Sequence, residues 1–295
     1  MVCENYFREM LTDNLEEADL VVSGFAYEGG CSCGLGTKLA PQKLLELSSF
    51  LPCTTKDGFK IQNFKIFNNG VIEGSDHTFL EEAKSIANLS FSTDKFSLFV
   101  GGDHSIAIAT EAAFYDYAKS LGKRACIIHL DAHPDYCDFY DGSKLSHACP
   151  NARAIDYGFG YEDITLIGIR GFEEQEVDLF SEHKEIPLYT ATFIKNGGID
   201  KMIDEICSRY NDALVHISFD IDITDPSFAP GTGTPESFGL SSDEVLYILT
   251  NLFRRLNVIS MDLVEVSPAS DVNDVTTWLA LKTLYELFYV LKGKK

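Results

Sequence analysis

Apolar runs and amphipathic segments alternate along this chain. ADLVVSGF (18–25), FSLFVGG (96–102), ACIIHLD (125–131), ITLIGIR (164–170), ALVHISFDI (213–221) and VISMDLVEV (258–266) read as strands. Several are continuous Val/Ile/Leu runs, as expected where both faces of a parallel sheet are covered. Helix candidates lie over 77–90, 104–121, 198–211, 241–256 and 276–291. Ser241-Ser242-Asp243-Glu244 supplies capping chemistry for the fourth. This βαβα rhythm predicts an α/β fold, a three-layer αβα sandwich around a central, mostly parallel sheet. With no Pro/Gly-rich linker, repeat or low-complexity tract to divide it, the chain is expected to form one domain over 1–295.

Ligands of such sheets bind beyond the carboxyl ends of the strands. Four of those ends carry polar groups that an ordinary core does not need. FVGGDHS places Asp103 and His104 after one strand, and HLDAHPD places Asp131, His133 and Asp135 after another. SFDIDITDP supplies Asp220 and Asp222, two residues apart and so able to leave one face of a strand. MDLVEVSP supplies Glu265. A lone histidine or a single DxD is more often structural than functional, but these groups recur at strand ends that converge in space. His104, Asp131, His133, Asp135, Asp220 and Asp222 are therefore read as metal ligands. Two imidazoles and four carboxylates make an oxygen-rich, hard cage that suits Mn²⁺ better than Zn²⁺. With bridging carboxylates they suit two divalent ions, whose +4 offsets the −4 of the aspartates; together such ions activate a water for hydrolysis.

Composition narrows the ligand. The 295 residues carry a formal charge of −21, which excludes nucleic acid and anionic membrane as partners and favours a cationic substrate. No apolar stretch is long enough for a membrane helix, and the acidic N-terminus does not read as a signal peptide. A cytoplasmic protein with reduced thiols is expected. The eight cysteines include Cys31-Ser-Cys33, read as two free thiols in a loop with a redox role left open. Glu265, outside the metal set, can pair bidentately with a planar guanidinium. His147, in the loop KLSHACPNAR, can pass a proton to a leaving amine. His129 and His216, inside strands, read equally as packed histidines or as partners of metal-binding aspartates.

GGDHS, DAHPD, SHA, SFDIDITDPSFAPGTGTP and VEVSP occur in this order over residues 101–268. In them the chain resembles the ureohydrolases, the arginase and agmatinase family, which hydrolyse guanidino compounds to urea and an amine at a binuclear manganese site. The resemblance implies the arginase-like fold and two Mn²⁺ ions. His104, Asp131, Asp135 and Asp220 would hold one; His133, Asp131, Asp220 and Asp222 would hold the other. It further implies that Asp135 orients the attacking hydroxide, that Glu265 docks the guanidinium and that His147 assists proton transfer, the three catalytic assignments. Homo-trimers or hexamers are implied as well. Cys137 and Gly171 stand where arginases contact their amino acid, so agmatine, giving putrescine for polyamine biosynthesis, is the expected substrate. Guanidinobutyrate, arginine and formiminoglutamate remain alternatives, as does a catalytically silent member. A guanidino acid would want a cation at the pocket mouth, and Lys38, Lys144 and Arg153 lie in the relevant loops.

Overall fold

The computed structural model describes residues 6–294. Nine strands form one sheet: β1 (Leu11–Thr12), β2 (Leu20–Ala26), β3 (Ile66–Glu73), β4 (Phe96–Val100), β5 (Ala125–Leu130), β6 (Ile164–Ile169), β7 (Leu188–Thr190), β8 (Leu214–Asp220) and β9 (Val258–Val264). Their order is β1-β3-β2-β4-β9-β8-β5-β6-β7, and every pairing is parallel. The helices are α1 (Ala40–Ser48), α2 (Phe79–Phe91), α3 (Ala107–Ser120), α4 (Pro150–Tyr157), α5 (Glu174–Glu182), the single turn α6 (Ala191–Phe193), α7 (Ile199–Arg209), α8 (Ser242–Arg255) and α9 (Val275–Gly293).

Side chains that alternate along each strand feed two separate cores. On β5, Cys126, Ile128 and Leu130 face the layer built by Leu44 of α1, Ile206 of α7, Leu249 of α8 and Leu284 of α9. Ala125 and Ile127 face the other layer, with Ala83 of α2, Ala113 of α3 and Ala154 of α4. Burial on both faces is why the strand sequences read as continuous apolar runs. Ser241 caps α8 as its sequence predicts, accepting the Glu244 N–H while the Glu244 carboxylate returns to the Ser241 N–H.

All six sequence-predicted strands are present. The four whose ends carry the ionisable motifs, β4, β9, β8 and β5, are consecutive neighbours at the centre of the sheet. From β4 the chain continues to β5, three places along the sheet, so β9 and β8 are inserted late between them. The strand order reverses about this point, the place where parallel sheets open a crevice.

Candidate active site

Each strand hands over to a turn that its own side chains stabilise. After β4, Gly102 leaves no room for a β-carbon, which would lie 1.7 Å from the Tyr27 carbonyl oxygen. Asp103 then caps the turn His104–Ile106, and its other oxygen accepts the Gly30 N–H at 2.7 Å. After β5, Asp131 Oδ1 accepts the His133 N–H at 2.6 Å. At the end of β8, Asp220 Oδ1 accepts the Asp222 N–H at 2.7 Å, capping a turn over Ile221–Ile223. The expected route for Asp220 and Asp222 is thus corrected: strand alternation does not bring them together. The strand stops at Asp220, and the cap does. Asp135 and Glu265 hold left-handed backbone, with φ of 53° and 61°, a strained state for these residues that concentrates at functional sites.

His104, Asp131, His133, Asp135, Asp220 and Asp222 meet in one cluster. The Nδ1 atom of His104 lies 2.9 Å from Asp131 Oδ2, 3.0 Å from Asp135 Oδ2 and 3.2 Å from Asp220 Oδ2. His133 Nδ1 lies 3.4 Å from Asp131 Oδ1 and 3.1 Å from Asp222 Oδ2. Four of the six side chains are almost wholly buried, Asp135 is nearly so, and His133 is part-exposed. Despite these short separations, His104 Nδ1 and Asp131 Oδ2 have no hydrogen-bond partner. The opposite ring edge of His104 is fixed as a donor. Its Nε2 contacts Ser218 Oγ at 2.9 Å, and that hydroxyl donates its one proton to Asp262 Oδ1 at 2.7 Å. Nε2 must therefore be the donor, and Nδ1 faces three carboxylates. Burial opposes the charged ring, but Asp131, Asp135 and Asp220 outweigh it and raise the His104 pKa well above its usual range. A metal ion in that place would displace the Nδ1 proton and take the same ring of oxygens as ligands. Burial, then the charges of Asp222 and Asp131, pushes the Asp220 carboxyl well above its usual range, a penalty that a cation would relieve. The donor set fits hard divalent metal.

Glu265 and His147 stand beside this cluster. Glu265 Oε1 accepts the His104 backbone N–H at 2.8 Å and contacts His147 Nδ1 at 3.1 Å. Its Oε2 is buried without a partner. His147 Nε2 lies 2.8 Å from Ser32 Oγ. Burial opposes the charged form of His147, but its contact with Glu265 outweighs this and raises its pKa to about 9. A cavity of about 250 Å³ opens over these groups. His104, Asp131, His133, Asp135 and Asp220 form its floor and His147, Glu265 and Ser32 its wall. Cys137, Tyr140, Phe172, Glu173, Glu176, Thr234 and Glu236 form its rim. Gly171 is fixed by close approach, since a β-carbon there would meet the His133 ring at 2.7 Å.

Lys38, Lys144 and Arg153 do not line this cavity. Lys38 pairs with Glu28 at 2.7 Å, Lys144 with Asp138 at 3.0 Å, and Arg153 with Asp138 and Asp156. Of the two readings that sequence left open for His129 and His216, the structure favours partners of aspartates. His129 stacks on His104 with ring centroids 4.9 Å apart and reaches Asp131 Oδ2 at 3.1 Å. His216 contacts Asp262 at 2.9 Å, so it braces the chain that orients His104. The spacing of two residues from His129 to Asp131 is what raised that reading from sequence. For Ser32, Glu173 and Glu236 no spacing could have served, because they come from separate loops.

A family profile for the arginase family matches residues 18–289. The chain belongs to the arginase family. Agmatinase from Neisseria meningitidis serogroup C is 32% identical over 291 residues, which span 94% of this chain and 89% of that protein. Among solved structures, the agmatine ureohydrolase of Thermoplasma volcanium superposes with a TM-score of 0.85 at 30% identity, covering 98% of this chain and 94% of that one. The proclavaminate amidino hydrolase from Streptomyces clavuligerus also gives 0.85, at 28% identity, covering 97% and 96%. The family assignment makes this chain a ureohydrolase, a hydrolase of amidino carbon–nitrogen bonds acting on a small guanidino compound. The family is one of binuclear metal enzymes, and the buried His/Asp cluster could bind metal. No helix among the described residues is long and apolar enough to cross a membrane.

Proposed function

We propose that the protein is a manganese-dependent agmatinase, converting agmatine to putrescine and urea. The observation that carries this reading is the polarity of the cavity from floor to rim. Its wall offers the unpartnered Glu265 Oε2, its rim offers Glu173 and Glu236, and no lysine or arginine lines it. A substrate cationic at both ends fits, and a guanidino acid does not. The pairing of Lys38, Lys144 and Arg153 with carboxylates elsewhere supports the same choice.

In this reading His104, Asp131, Asp135 and Asp220 would hold one ion, and His133, Asp131, Asp220 and Asp222 would hold the other. When bound, the two ions lower the pKa of water toward neutrality and supply a nucleophile. Glu265 Oε2 docks the guanidinium by a charge-assisted hydrogen bond and so fixes the carbon to be attacked. Asp135 orients the attacking oxygen and holds its proton. His147, kept protonated to about pH 9 by Glu265, passes a proton to the departing amine nitrogen. The carbon–nitrogen bond then breaks, leaving urea and a primary amine. We further take the chain to be one ureohydrolase domain over 1–295, cytoplasmic, and a homo-trimer or hexamer, on the strength of the family resemblance.

Urea release by manganese-loaded protein from agmatine, guanidinobutyrate, arginine and formiminoglutamate tests the substrate. Agmatine should give the highest kcat/KM; a higher value for any of the other three would overturn the choice. Metal analysis tests the cofactor, with two manganese ions per chain expected.

A further inference from the structure

The cysteines of Cys31-Ser-Cys33 have no part in the hydrolysis just described. Yet the loop that carries them is fixed against the cavity. The Gly30 N–H is held by Asp103, the Gly30 carbonyl accepts the His147 N–H at 3.0 Å, and the Gly36 N–H is held by Glu28 at 2.8 Å. These anchors bring Cys31 Sγ, a ring nitrogen of His147 and a carboxylate oxygen of Glu265 within 4.8 Å of one another. We propose that Cys31, His147 and Glu265 form an additional metal site, selective for a soft or borderline dication such as Zn²⁺ or Cd²⁺, whose filling inhibits the enzyme.

The donor types separate this site from the neighbouring cage. One sulfur, one imidazole and one carboxylate favour Zn²⁺ or Cd²⁺, whereas the oxygen-rich cluster favours harder ions. Bond lengths of ~2.0–2.3 Å place the donors of a tetrahedral site roughly 3.2–3.8 Å apart. His147 Nδ1 and Glu265 Oε1 stand 3.1 Å apart, and the Cys31 thiol, which donates to the Cys33 carbonyl at 3.3 Å, turns from that acceptor to complete the site. The second oxygen of Glu265 is buried with no hydrogen-bond partner, a ligand position left open. Three protein ligands and a fourth position facing the cavity describe an accessible site rather than a closed structural one.

The surrounding charge points the same way. Burial, followed by the negative charges of Glu265, Asp103 and Glu28, holds the Cys31 thiol protonated. An isolated thiol here is thus a poor nucleophile, but a dication converts those anions from a penalty into a stabilisation. As the metal binds, the Cys31 S–H proton and the Nδ1 proton of His147 both leave to water. The inhibitory consequence rests on the proposed function, because it requires Glu265 to be the guanidinium dock. A metal on Glu265 and His147 removes the dock and the proton donor together, so inhibition should be competitive with the guanidino substrate.

The test is a titration of Cd²⁺ into manganese-loaded protein, followed by the thiolate-to-cadmium charge-transfer absorption in the ultraviolet, by manganese content and by urea release. One equivalent of Cd²⁺ should produce the band with manganese retained, and inhibition should be competitive. Cys31→Ala and Cys31→Ser should each abolish the band and weaken Cd²⁺ inhibition by more than the ~10–100-fold that losing an outer partner of a metal site costs. Cys33→Ala should keep the band. Two results would overturn the site: a band that persists in both Cys31 variants, or inhibition that tracks manganese loss with no band. The optical titration needs no substrate. No band alongside urea release defeats the additional site alone, whereas a band without urea release from any guanidino compound defeats the proposed function alone.

Discussion

The acidic residues at the floor of the cavity and those at its rim are held in contrasting ways. Asp131 and Asp220 sit at the ends of central strands, almost wholly buried, each taking a backbone N–H from the turn that follows, and Asp222 beneath them accepts the Ala132 N–H. Glu173 and Glu236 sit on loops, one exposed and the other half-buried. Glu176 is the rim exception, buried and accepting the N–H groups of Tyr136 and Glu173. Burial raises its pKa to about 7. The floor is rigid and costly to alter, while the rim is solvated and cheap to alter. A family with one hydrolytic reaction and many amines is served by that division, with chemistry fixed where backbone fixes it and selectivity carried by loops.

Substitutions should reproduce the gradient. Asp131→Ala or Asp220→Ala removes a carboxylate assigned to both ions and should lower kcat/KM by more than the ~10–100-fold that losing an outer partner of a metal site costs. Metal analysis should show depleted metal in the same proteins, and a fully loaded, active variant would break the comparison. Glu265→Gln leaves the cage intact but weakens the dock, and a fall in kcat/KM of about 10²-fold with full metal content is expected. His147→Ala should lower kcat by at least ~10²-fold.

The pH profile sharpens the boundary between the two regions. With its folded pKa raised to about 9, His147 is protonated below that pH, so activity should fall as pH rises through it. The same shift adds stability that is fully present below the ordinary histidine pKa of 6.5 and is lost as pH rises through about 9. Glu265→Gln removes the anion responsible, and the alkaline limb of kcat should move to lower pH. At the rim, Glu173→Gln and Glu236→Gln should each raise KM for agmatine by only ~2–5-fold, the reach of a solvated ion pair. Neither should change metal content.

The same contrast governed what could be read from sequence. Strands β2, β4, β5, β6, β8 and β9 announce themselves because two covered faces demand continuous apolar runs. The edge strand β1 has two residues and β7 three, too short to carry a period, and β3 interrupts its pattern with Asn68-Asn69-Gly70. Helices α1, α4 and α5, of eight or nine residues, are likewise too brief to stand out by pattern. At the site, the six ionisable residues of the His/Asp cluster were visible because they lie at strand ends or follow them at short spacings. The serine hydroxyl, Asp262 and His216 that orient His104 lie inside strands, where a polar residue reads as an isolated exception until the register pairs Ser218 with Asp262. Of the rim, Cys137 was legible through its place just after DAHPD, whereas the acidic Glu173, Glu176 and Glu236 carry no motif of their own.

The division of labour within the Glu265 carboxylate has a mechanical consequence. One oxygen is tethered to the amide of His104, so the group that grips the substrate is ruled off the same short segment that contributes to the floor. If that turn shifts, the grip travels with it, and the separation between the seized carbon and the reacting oxygen is preserved. The alignment is a built-in gauge length, one that loops at the entrance can drift around without disturbing.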